Sequence, residues 1–132
     1  MANISNYIRQ HNEISEVLVQ IKLLIDKDIV SNSKQLAGLI NNLAGKLKIH
    51  LTMEDKYLYP SLKNEVVSKK IALKFEEEMG NISVIFNEFK LKYNTSDKIE
   101  INSKNFKVDM VKLLFLLENR LNKEEKELYI LA

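Results

Sequence analysis

Residues 50–62 read HLTMEDKYLYPSL. His50 and Glu54 stand four residues apart, one turn of a helix, and they continue the apolar series Leu36, Leu39, Ile40, Leu43 and Leu47. Spacings of three and four place all of these residues on one helical face, so two polar side chains are aimed where a core is expected. Pro60 lacks a backbone donor and clashes with the preceding turn, so the helix is predicted to stop at Tyr59-Pro60. At its other end Ser31 or Ser33 is positioned to cap it. Ala37, Gly38, Ala44 and Gly45 leave room for a close neighbour.

The same periodicity extends in both directions. A first helix is predicted from about Asn3 to Asp26, with Ile4, Ile8, Ile14, Leu18, Ile21 and Ile25 on one stripe and DKDIVSNSK ending it. A third is predicted from about Lys63 to Tyr93 through Ile71, Phe75, Ile82, Phe86 and Phe89. The polar segment NTSDKIEINSK reads as the longest loop. A fourth helix follows, with Phe106, Met110, Leu113, Leu117, Leu128 and Leu131 on one face. Four amphipathic helices with short connections predict an all-α, up-down-up-down antiparallel four-helix bundle. At 132 residues the chain is the size of one domain, 1–132, and long enough to bury about two-thirds of its unfolded surface.

Composition narrows the function. Twenty Lys and Arg against eighteen Asp and Glu give a net charge of +2, with both signs mixed along the chain. No basic stripe suggests nucleic acid. The absence of cysteine removes disulfides, thiolate metal sites and a thiol nucleophile together. The start, MANISNYIRQHNEIS, lacks the ~7–15-residue apolar run of a secretory signal, and no apolar stretch approaches the ~20 residues of a membrane span. A cytoplasmic location without membrane attachment is the expectation. Neither a phosphate-binding glycine loop nor a nucleophile elbow occurs.

Polar residues inside the apolar stripes mark the candidate site. His11 falls on the stripe of the first helix, His50 and Glu54 on the second, Glu78 between Phe75 and Ile82, and Arg120 and Glu124 between Leu117 and Leu128. At ~1.5 Å per residue His11 lies roughly 12 Å into its helix, His50 and Glu54 roughly 9–15 Å before the end of theirs, Glu78 roughly 20 Å in, and Glu124 roughly 10 Å from its end. In an antiparallel bundle one layer collects them all. Buried carboxylates need a compensating cation, and imidazole with carboxylate suits a transition metal. An internal echo supports the pairing of halves: LKIHLTMEDKYLYP (47–60) and LENRLNKEEKELYI (117–130) align at an offset of 70. Leu47 then pairs with Leu117, Glu54 with Glu124, Asp55 with Glu125, Leu58 with Leu128, Tyr59 with Tyr129, and His50 with Arg120.

The segment around His11, the run LAGKLKIHLTMEDKYLYPSL, the EEEMG of the third helix and the RLNKEEKELY of the fourth together resemble the hemerythrin-like, HHE cation-binding proteins over nearly the whole chain. The resemblance implies a four-helix bundle with a non-haem di-iron centre that binds oxygen, peroxide, nitric oxide or a related small molecule. His11, His50 and Glu54 match its ligand positions, and Glu124 or Glu125 its carboxylate region on the last helix. The departures are large. A full oxygen-carrying site implies five histidines and this chain has two. Glu78 and Met79 stand where a histidine pair is implied, and Arg120 where another is. The expected site is therefore carboxylate-rich, one or two iron or manganese ions held by His11, His50, Glu54, Glu78, Glu124 and Glu125. Tyr57, at i+3 from Glu54, would supply a phenolate or a supporting hydrogen bond, and Arg120 would stand behind the ligands. Tyr59 and Tyr129 read as packing at the bundle end. The competing reading is a metal-free interaction or regulatory bundle in which Arg120 supplies the charge of the lost ion.

Overall fold

The computed structural model describes residues 4–132, so Asn3, the expected start of the first helix, lies outside the described residues. The protein is all-α, with no strand among the described residues. In chain order the elements are α1 (Ile4–Ile25), α2 (Ser33–Met53), a π-helical turn (Glu54–Leu58), α3 (Tyr59–Leu62), α4 (Val66–Tyr93), α5 (Ser96–Ile101), α6 (Ser103–Lys123), a second π-helical turn (Glu124–Leu128) and a 3-10 turn (Tyr129–Leu131). Each long helix touches two others: α1 packs on α2 and α6, and α4 also packs on α2 and α6.

The buried side of α1 is Tyr7, His11, Ile14, Leu18, Ile21 and Ile25, a run of alternating four- and three-residue steps that fits a seam between two neighbours. Ile8, expected inward, is off that seam and exposed. Glycines 38 and 45 likewise face open space, and a Cβ at either would meet nothing within 4 Å. They therefore do not make room for a neighbour; Ala37 is the small residue buried on that helix. Neither serine caps α2. Its N-cap is Asn32, without a side-chain bond, while the Ser31 hydroxyl turns back to Asp28 and Ser33 donates to Glu100 at 2.9 Å. The segment read as the longest loop holds α5, capped by Thr95, whose side chain accepts from Lys98 N–H, and Ile99 of α5 is fully buried in the core.

The chain does not stop at Pro60. The π turn before it bonds Tyr59 N–H to the Glu54 carbonyl, five residues back, which widens the helix ahead of the proline so that α3 continues to Leu62. The second π turn falls at the same offset of 70, with Tyr129 N–H on the Glu124 carbonyl. These widened turns are the devices that shape the site.

The core divides in two. A long cluster runs through Ile14, Leu18, Ile40, Leu43, Leu47, Ile82, Phe86, Phe106, Met110 and Leu117. A smaller one holds Tyr7, Leu58, Tyr59, Leu62, Ala72, Phe75, Leu128 and Tyr129. On three of the four long helical segments buried polar residues fall between members of these two clusters: His11 between Tyr7 and Ile14, His50 and Glu54 between Leu47 and Leu58, Arg120 and Glu124 between Leu117 and Leu128. One polar layer is sandwiched between two apolar ones.

Candidate metal centre

Four side chains from three segments of chain converge in that layer: His11 from α1, His50 from α2, Glu54 from the first π turn and Glu124 from the second. One ligand atom of each lies within 4.8 Å of all the others, and none of the residues is more than 1% exposed. His11 Nε2 is 3.1 Å from His50 Nε2 and 2.8 Å from Glu124 Oε1. His50 Nε2 is 3.3 Å from both Glu124 Oε1 and Glu54 Oε2. Their places on the apolar stripes mark these four side chains as inward, and the fold brings them together.

The far nitrogens fix the imidazoles. His50 Nδ1 is 2.7 Å from Gln10 Oε1 and His11 Nδ1 is 3.0 Å from Glu125 Oε2. Both partners are acceptors, so each Nδ1 carries its proton and each neutral ring presents a bare Nε2 lone pair to the centre. Tyr7 packs edge-on against the His50 ring at 6.1 Å. Two imidazole lone pairs and two carboxylate oxygens thus point at one another, which is repulsive until a positive species lies among them. In the metal-free protein a proton serves. Burial pushes His50 down, but hydrogen bonds with Glu124 and Glu54 outweigh it and raise its pKa to about 9. Glu54 goes the other way from an ordinary carboxylate, raised chiefly by burial. Its Oε1 is buried with no hydrogen-bond partner. A carboxylate with one oxygen facing an inward imidazole nitrogen and the other left without a partner is the chemistry of a cation site, so the residues present fit a metal ion.

Arg120 runs alongside this group. Its Nε donates to Glu124 Oε2 at 2.8 Å, Nη1 to Glu78 Oε1 at 3.2 Å and Nη2 to the Tyr59 hydroxyl at 3.1 Å. The guanidinium also lies over the Phe75 ring at 4.6 Å. Burial pushes the Glu124 carboxyl up, yet the hydrogen bonds of His11 and His50 and the charge of Arg120 together hold it well below the usual range. It stays a carboxylate at all ordinary pH.

Three expected residues are placed elsewhere. Glu78 is not among the converging four; its side chain is 42% exposed and paired with Lys123 Nζ at 2.9 Å as well as with Arg120, and those partners lower its pKa, Lys123 most. Glu125 reaches the site only through the outer nitrogen of His11, with 42% of its side chain exposed. Tyr57 is half exposed and lies under Lys56 rather than beside Glu54. The reason is the π turn. An i+3 partner faces residue i in an α-helix, whereas in the widened turn residue i+5 comes round instead.

From Glu54 that residue is Tyr59, and from Glu124 it is Tyr129, which by its place in the sequence reads as packing. It packs in the smaller cluster, and its hydroxyl also enters the centre. It donates to Glu54 Oε2 at 2.6 Å and lies 2.8 Å from His11 Nε2 and 3.1 Å from Glu124 Oε1, five residues back. Burial and the two carboxylates push its pKa up, so in the metal-free protein it is a donor. Tyr59 has the matching place beside Arg120. Gln10 was also missed. The signal that could have found both tyrosines is the internal repeat, since it carries Glu-x4-Tyr in each copy.

Among the described residues no helix is long and apolar enough to cross a membrane. Comparison with curated proteins and with solved structures gives no match. The family model described as Hemerythrin HHE cation binding domain matches residues 2–132, essentially the whole chain, and a buried His/Glu group able to hold a metal lies at its centre. On that match the chain belongs to the hemerythrin HHE cation-binding family.

Proposed function

We propose that this protein is a non-haem iron protein, one domain folded as an antiparallel four-helix bundle of α1, α2, α4 and α6, that binds, senses or reacts with oxygen, peroxide or nitric oxide in the cytoplasm. The observation that carries the metal reading is the meeting of the two facing Nε2 atoms with Glu54, whose Oε2 lies 3.3 Å from His50 Nε2 and whose Oε1 is buried without a partner. His11, His50, Glu54 and Glu124 are the ligands of this reading. Gln10 and Glu125 hold the imidazoles in the tautomer that ligation requires, and Tyr129 keeps a proton donor at the centre. Iron, when bound there, would supply a redox-active Lewis acid; manganese suits the same oxygen-rich set. A pocket of ≈ 430 Å³ that joins apolar residues such as Leu47, Met79 and Phe86 to the polar Lys48, Asp55 and Lys90 flanks the turn that carries His50.

Elemental analysis of protein from iron-supplemented cells, with absorption spectra of the reduced form before and after air, tests this reading. Retained iron and an air-dependent near-ultraviolet change are expected, and His50→Ala should abolish uptake. Less than about a tenth of an equivalent of any transition metal after anaerobic reconstitution would sink it. The metal-free regulatory bundle would then stand, supported by the ion pair of Arg120 with Glu124, and His50→Ala would shift stability alone.

A further inference from the structure

The polar layer is built of two related halves. At the offset of 70 the second helical repeat places Arg120 where the first has His50, Glu124 where it has Glu54, and Tyr59 and Tyr129 opposite one another. The structure keeps this correspondence in detail, because both repeats widen into a π turn at the same register. The tyrosines are exchanged across the layer: Tyr129 donates to Glu54 of the first half, and Tyr59 accepts from Arg120 of the second. α1 brings His11 to the first half, and α4 brings Glu78 to the second.

Glu124 joins the halves. Its Oε1 faces His11 and His50, at 2.8 and 3.3 Å, while its Oε2 takes the Arg120 Nε proton at 2.8 Å. A carboxylate that spreads its two oxygens in this way bridges two cationic positions. The second position is already filled. The guanidinium, 3% exposed, is bonded to Glu124, Glu78 and Tyr59 and stacked on Phe75, and a planar fork so satisfied on three sides has no reason to leave. Charge agrees. Arg120 and Lys123 balance Glu78 and Glu124, which leaves Glu54 as the carboxylate still without a fixed cation.

Resting on the metal reading above, we propose that the centre holds one metal ion, in the half made by His11, His50, Glu54 and Glu124, and that the Arg120 guanidinium is the permanent cation of the other half. The protein is then a mononuclear site with a tethered positive charge sharing one carboxylate with its ion. Such an ion cannot share electrons with a second metal, and the fixed charge beside it favours its lower oxidation state.

The test is metal stoichiometry in the full-length protein, with cobalt(II) and iron(II) added anaerobically and excess removed. About one ion per chain is expected for the unaltered protein and for Arg120→Lys. About two are expected for Arg120→His, which restores an imidazole where its repeat partner has His50. Air oxidation of the iron form should give the paramagnetic resonance of an isolated ferric ion rather than the silence of a coupled pair. Two ions in the unaltered protein, or a silent oxidised form at full iron content, would overturn the inference while leaving the metal reading intact. A folded Arg120→His that still takes one ion would overturn it as well. No metal in any form would remove both. Should Arg120→His fail to fold, the stoichiometry and resonance of the unaltered protein decide alone.

Discussion

Replacing Arg120 by methionine isolates the guanidinium's contribution to the metal-free fold. Methionine has similar length and fills the space over Phe75, so the loss is of charge and hydrogen bonds rather than volume. Breaking a buried ion pair from one side costs ~3–5 kcal/mol because the remaining charge stays buried. Here the remaining charge is Glu124, 1% exposed, which keeps its contacts with His11 and His50, so the lower end, ~3 kcal/mol, applies. With an unfolding entropy of ~2.1 cal/mol/K per residue and 132 residues, that is a fall in Tm of about 11 °C. The control is Lys123→Met. Its pair with Glu78 is 42% exposed on both sides, and such pairs contribute at most about 1 kcal/mol. Urea unfolding of chelator-treated protein, followed by helical circular dichroism, measures both. The gap should also narrow in acid. Glu124 is held low when folded and titrates at about 4.5 when unfolded, so its stabilisation is present above that pH and is lost as pH falls toward the folded value. The variant, lacking Arg120, has less of it to lose. A loss at pH 7 no larger than that of Lys123→Met would refute the claim that Arg120 neutralises Glu124.

Three further outcomes follow from the same geometry. His50 is raised from 6.5 to about 9, so the stability it adds to the metal-free protein is complete below pH 6.5 and lost as pH rises through 9; a metal must displace that proton, and affinity should climb about tenfold per pH unit in this window. Competition titrations check it, and a flat profile contradicts a proton on the ligand nitrogen. Glu54→Gln should abolish metal-induced stabilisation, about 2.7 kcal/mol at a hundredfold excess over Kd, without weakening the metal-free fold, since burial already disfavours the Glu54 charge; thermal melts with and without metal show both effects, and a large loss in the metal-free melt speaks against it. Tyr129→Phe deletes the donor 2.6 Å from Glu54 and should cost the metal-free protein ~1–3 kcal/mol, read as a shift in the urea midpoint; no shift would mean that the hydroxyl does not satisfy the carboxylate.

The sequence displays what helical periodicity can carry. His11, His50, Glu54, Arg120 and Glu124 lie on apolar stripes at matching depths, and a constant rise per residue is enough to bring them into one layer. Periodicity fails where the helix ceases to be an α-helix. Pro60 reads as a stop under α-helical rules, yet the π turn ahead of it absorbs the missing bond and lets the chain run on to Leu62. The same turns bring Tyr129 to the site and carry Tyr57 away from it, so an i+3 argument selects the wrong tyrosine. Glu78 escapes the pattern for another reason: a stripe assigns a direction, whereas exposure depends on how closely neighbouring helices approach, and Lys123 meets Glu78 at the half-exposed margin of the layer. Gln10 carries no pattern at all and is legible only once His50 has a position.

A layer of two imidazoles, two carboxylates and a guanidinium between two apolar clusters is a poor way to hold four helices together. Leucine and methionine of similar volume would satisfy the same space without desolvated charge, and such replacements of buried ion pairs commonly stabilise a protein by ~1–4 kcal/mol. Most of the layer is at least internally satisfied: Glu124 has partners on both oxygens, and Arg120 uses three of its nitrogens. Glu54 Oε1 is the exception, and it belongs to the half with the two inward imidazoles, not to the half with the arginine. If the layer served only to fix helix register, the unsatisfied oxygen would fall on either side without preference. Its place on the carboxylate that meets the inward His50 nitrogen is what a cation-binding half requires and what a purely structural ion pair has no use for.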